Sequence, residues 1–145
     1  MSEFSVEDVM KREAGKAERP SAYPPGTYLM EVASVKRKVI VPKKGQNTGK
    51  KVPLAEVYFK PVKAVEVAEP VDMEKRRAQP KQSFWLTDGD LWRMDEFFAT
   101  TLGMDIGGQS YEDLFTLAVG RECQGYLSLR DEDRYNEIEQ LAPAA

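Results

Sequence analysis

Histidine is absent from this chain of 145 residues, and cysteine occurs once. Without imidazole there is no Ser/His/Asp or Cys/His catalysis and no use of the commonest transition-metal ligand. A lone Cys123 excludes an intrachain disulfide and any thiolate cluster for zinc or iron–sulfur. With no base to activate it, Cys123 reads as a small buried hydrophobe on a strand. Long apolar runs are also missing. Stretches such as Val39-Ile40-Val41 fall far short of the roughly 18 to 20 residues that cross a bilayer as a helix. The opening MSEFSVEDVMKREAGK alternates acid and base with no apolar block before a cleavage site, so the expectation is a cytoplasmic protein. No internal repeat is visible, and no spacing calls for a cofactor or a catalytic centre.

What is present is an ordinary globular balance, 41% apolar and 31% charged. That balance and length predict one domain over 23–145, preceded by a polar arm at 1–22 with a short helix from Val6 to Lys16. The net charge of -3 hides an asymmetry. Residues 34–63 hold nine basic side chains against one acidic, and residues 88–145 hold four against thirteen. Such a division lets an acidic protein present a basic surface, the usual footprint of an anionic partner.

Pro24-Pro25-Gly26 marks entry to the folded part. Thr27 to Val35 alternates as a strand, with Tyr28, Met30 and Val32 on one face. Lys36 to Lys51, with Pro42, Gly45, Asn47 and Gly49, has the composition of a long basic hairpin loop, into which Val39 to Val41 could extend the strand. Val52 to Val65 is a second strand, whose Pro61 places its distal part at a sheet edge. Residues 66–80 read as a second long loop, and Gln82 to Leu86 as a third strand.

The period then changes. Leu91, Met94, Phe98 and Leu102 fall on one helix face, leaving Trp92 and Phe97 off it, and Gly103 suits the C′ position. Ser110, with Asp113 three residues on, opens a second helix with Leu114, Leu117 and Ala118 inward. Two more strands follow, Arg121 to Arg130 with Cys123, Gly125, Leu127 and Leu129 on one face, and Tyr135 to Leu141 with Asn136, Ile138 and Gln140 on one side. The expected fold is mainly β, a five-stranded OB-like barrel of order β-β-β-α-α-β-β with long basic loops.

In YPPGTYLMEV at the first strand, LWRMDEFFATTLGM in the first helix, YEDLFTLAVGRECQGYLSL and then RYNEIEQL, the chain resembles a family of phage-encoded proteins similar to single-stranded-DNA-binding OB-folds. The layout matches over roughly residues 23–141, with one extra residue before Gly120. The resemblance implies an OB-fold acting in phage DNA replication or recombination. Many replication-type single-strand binders end in a flexible acidic tail that recruits partners, whereas this chain ends LAPAA; either partner recruitment uses another surface, such as the acidic 88–145 region, or the protein is not a replication hub.

Single-strand binding needs cations for phosphates and exposed rings on which bases stack. Lys36, Arg37, Lys38, Lys43, Lys44, Lys50 and Lys51 surround the first loop; Lys60, Lys63, Lys75, Arg76, Arg77 and Lys81 flank the second. Tyr28, Tyr58, Phe59, Phe84, Trp85 and Tyr126 lie on the strands between, and alternation sends half of each strand inward. Tyr58 and Trp85 are the candidates for exposure, because Phe59 and Phe84 beside them suit the core better. The segment KKGQNTGKK is not a phosphate loop: it lacks the spacing and the Ser or Thr after Lys, and it precedes a strand. Carboxylates at Asp88, Asp90, Asp95 and Glu96 are explained by a helix start, and Asp131-Glu132-Asp133 by a solvated turn. Trp92, Phe97 and Phe98 either plug the barrel or form a patch for a partner or a second copy. The reading is a non-enzymatic binder of single-stranded DNA; the rival is a protein-interaction or structural assembly module that does not bind nucleic acid.

Overall fold

The computed structural model describes residues 6–11, 14, 22–45, 48–73, 78–130 and 135–144. A short helix α1 (Val6–Met10) precedes β1 (Gly26–Ile40), β2 (Val52–Val67) and β3 (Lys81–Trp85). Helix α2 (Leu91–Glu96) continues into a π-helical turn (Phe97–Thr101), and α3 (Tyr111–Ala118), β4 (Glu122–Arg130) and β5 (Tyr135–Pro143) follow. The strands form one antiparallel sheet of order β3-β2-β1-β4-β5. No helix among the described residues is long and apolar enough to cross a membrane.

The first strand is longer than its alternation suggests. Tyr28, Met30 and Val32 share one face as expected, and that face is buried, but a register shift between Val32 and Ser34 lets pairing with β2 run on to Ile40↔Val52. Lys36, Arg37 and Lys38 therefore lie on a strand, not in the loop assigned to them, and the connection shrinks to residues 41–51. The physical reason is that Val35, Val39 and Ile40 favour the extended chain, while the basic side chains between them cost little where they face water. The other edge of β2 is covered by β3 only from Leu54 to Tyr58, so Pro61 sits where its missing N–H leaves no ladder bond unmade.

The sheet curls around a core of Tyr28, Met30, Val57, Phe59, Met94, Phe98, Leu114 and Leu127. The hydrogen-bonded ladder is not closed among the described residues: β3 and β5 come within 8 Å, Cα to Cα, without pairing. The α2–π segment approaches both of these strands. The structure corrects the expected helix face: Phe97 joins Phe98 inside, 3% and 0% exposed, since Met94, Phe97 and Phe98 hold the i, i+3, i+4 spacing of one helix face. Phe97 meets Phe59 at 6.1 Å and Phe84 at 5.0 Å between ring centroids, within the range of favourable aromatic contact. In α3, Leu117 is exposed and Phe115 takes its expected inward place, completing the helical spacing of Leu114, Phe115 and Ala118.

The cap of α3 falls where its residue types place it, while Asp90, at the N-cap of α2, makes no side-chain cap bond. The Ser110 hydroxyl accepts from the Asp113 N–H at 3.2 Å, and Gly103 adopts φ +64 after the π turn. At one end of the sheet, Tyr23 donates its N–H to the Asn136 side-chain oxygen at 2.7 Å, and Asn136 donates back to the Tyr23 carbonyl at 2.7 Å. This ties the chain before β1 to the start of β5. A shift between Tyr126 and Leu127 in the β4–β5 ladder turns Gln140 outward, against expectation, and brings Leu141 onto the core.

Candidate nucleic-acid interface

On β1, β2 and β3 the residues that point away from the core form rows across the sheet. Ser34, Tyr58 and Lys81 share one register, Lys36, Glu56 and Ser83 the next, and Lys38, Leu54 and Trp85 the third. Strand alternation alone produces this arrangement, because Val57 and Phe59 are drawn into the core and turn Glu56 and Tyr58 outward. Tyr58 and Trp85, both half-buried, thus share one outer face, separated by four residues of β2, or roughly 13 Å.

Two charge arrangements organise the face. The Lys36 ammonium sits 5.0 Å from the centroid of the Tyr58 ring, a cation–π contact. Glu56 is 2% exposed, held between Lys38, whose Nζ lies 2.5 Å from Oε1, and Lys81, 2.6 Å from Oε2. The hydrogen bonds from Lys38 and then Lys81 keep the Glu56 carboxyl below its ordinary pKa, and the same bond raises that of Lys38. Both ammonium groups remain half in water, so the trio carries one net positive charge toward solvent.

The remaining candidates divide. Lys43, Lys44, Lys50 and Lys51 are exposed around the β1–β2 connection, next to the Lys38 end of the face. Lys60 and Lys63 are exposed farther along β2, with Lys60 opposite Glu31. Arg37 points to the other side of the sheet, where it lines a cleft with Glu112 and Phe115 of α3. Arg76 and Arg77, with Lys75 and Asp131-Glu132-Asp133, lie outside the described residues. Tyr28 is fully buried and leaves the list of stacking rings. Trp92 is 58% exposed beside Arg93, but Phe97 does not join it in a surface patch.

One aromatic was missed. Tyr135, at the first position of β5, is 52% exposed and lines a cleft of about 420 Å³ together with Tyr58, Lys81 and Asn136. Its alternation against Ile138 marks it as outward, but nothing local in the sequence says that the start of β5 comes round to Tyr58. Among the described residues no group of His, Cys, Asp and Glu could hold a metal ion. Asp90 accepts from the Thr87 hydroxyl and Asp95 from the Tyr111 hydroxyl, each at 2.7 Å. Burial pushes the Cys123 thiol up to about 12, which leaves it without nucleophilic character near neutrality. No protein-family model matches the chain, and no curated protein matches its sequence.

Proposed function

We propose that the protein binds single-stranded DNA without base specificity, on the outer face of β1, β2 and β3, in phage-type replication or recombination. The observation that carries this reading is the placement of Tyr58 and Trp85 on one face among Lys36, Lys38 and Lys81, continuous with the lysines of the 41–51 connection. A sheet with β1 at its centre, helices packed near a β3–β5 gap and a basic β1–β2 connection fits a partly open OB-like barrel, whose strand 2–3 face and first loop take oligonucleotides. Lysines neutralise phosphates as mobile point charges, which suits contact with the backbone more than reading of bases. Bases stack on the two rings whatever their identity, because every base has a π face.

Titration of a labelled mixed-sequence strand at several salt concentrations tests it. Affinity falls with salt with a slope near 0.7 per phosphate contact, and reversing Lys43, Lys44, Lys50 and Lys51 to Glu lowers both affinity and slope. A salt-independent interaction contradicts the reading. The exposed Trp92 favours a second one, a protein-docking module, which a partner retained after nuclease treatment and lost in Trp92→Ala would support.

A further inference from the structure

We infer that the cleft between Tyr58 and Tyr135 is a pocket for one unpaired nucleobase and gives the face its preference for single strands. This rests on the single-stranded DNA reading. The cleft holds about 420 Å³, within the size range of small-ligand sites and ample for a flat ring system. Tyrosine contributes from both sides, Tyr58 from β2 and Tyr135 from β5. Lys36 covers Tyr58 from the β1 side, so the cleft on the β3 side is where the ring can meet a base. Pro80 and Lys81 add to the wall, the exposed amide of Gln79 can meet a base edge without selecting one, and the one carboxylate in the lining, Glu137, is paired with Arg130. Asn136 is not free for this, since it is bonded to Tyr23 and to the Ser128 carbonyl.

The position matters as much as the shape. Lysines on an open sheet attract duplex and single strand alike, because both carry phosphates. A pocket at the open β3–β5 seam admits a base only after it leaves its pair and its stack, which a duplex resists by a few kcal/mol. Selectivity for single strands therefore belongs to Tyr135, and attraction to the lysines.

The test compares full-length wild type, Tyr135→Ala and Tyr135→Phe on a labelled single strand and on a duplex of the same sequence, across salt. Tyr135→Ala is expected to weaken single-strand binding roughly five- to hundredfold, the range for loss of one stacked base, with duplex binding and the salt slope unchanged; Tyr135→Phe is expected to retain wild-type affinity. An abasic position walked along the strand should weaken wild type at one position and leave Tyr135→Ala indifferent there. Unchanged single-strand binding by Tyr135→Ala, or equal loss on the duplex, overturns the pocket while leaving the function standing. Absence of single-strand binding by wild type overturns both.

Discussion

Glu56 lies on the outer face of the sheet, yet the side chains of Lys38 and Lys81 cover it almost completely. Its pKa is lowered by those lysines, so its contribution to stability is complete above its unfolded value of about 4.3 and is lost as pH falls through the folded one. Acid titration of the fold should show this loss in wild type and not in Glu56→Gln. Glu56→Ala also releases two cations on the proposed interface: the salt slope for DNA should steepen by about 0.7 for each phosphate gained, and an unchanged or shallower slope would show that the trio lies outside the contact. Cys123 behaves oppositely. Its pKa is raised by burial, so stability holds below the unfolded value of about 8.5 and declines as pH rises toward about 12. A maleimide should label Cys123 only when the protein is unfolded; rapid labelling of the native protein would contradict the burial. The outward placement of Tyr58 and Trp85 was legible in the sequence because each adjoins a phenylalanine that the core claims. Arg37 was not legible as separate from Lys36 and Lys38, since only strand geometry sends it to the α3 side.

At the level of elements, the α2–π segment decides what the middle of the chain buries. Phe97→Ala should cost roughly 3–5 kcal/mol in denaturant unfolding, as large-to-small changes in packed cores do. Trp92→Ala, on the exposed side, should stay within about 0.5 kcal/mol, as surface changes do. Equal effects would mean that Phe97 is not packed into the core. Gly26 is a second structural point. A Cβ there would stand 2.7 Å from the Glu66 carbonyl oxygen and 2.6 Å from Val67 Cγ1, so Gly26→Ala should lower stability by about 1–3 kcal/mol, the usual cost of overpacking. Strand identities, the Ser110 cap and the Gly103 stop were legible because each rests on local chemistry. The π turn and the register shifts after Val32 and Tyr126 were not, because they answer to packing between elements distant in sequence. The outward turn of Leu117 belongs with them.

For the molecule as a whole, the division of charge by position becomes a division of surfaces. The basic residues of 34–63 lie on β1, β2 and the connection between them, and of the described acidic ones in 88–145, Asp95, Glu96, Glu112, Asp113, Glu122, Glu137 and Glu139 lie on α2, α3, β4 and β5. A single curled sheet sets β2 and β5 apart in its order, with β1 and β4 adjacent at its middle, and leaves a seam where β3 and β5 approach without pairing. The sequence could announce a basic side, but not the seam, which arises only from how far the sheet curls. The central claim is that this basic, aromatic face takes single-stranded DNA. The most direct measurement is fluorescence anisotropy of one labelled sequence, presented to the wild-type protein at low salt as a single strand and as a duplex. Tighter binding to the single strand, weakened as salt is added, is the predicted result. No binding to the single strand, or equal affinity for both forms, would contradict it.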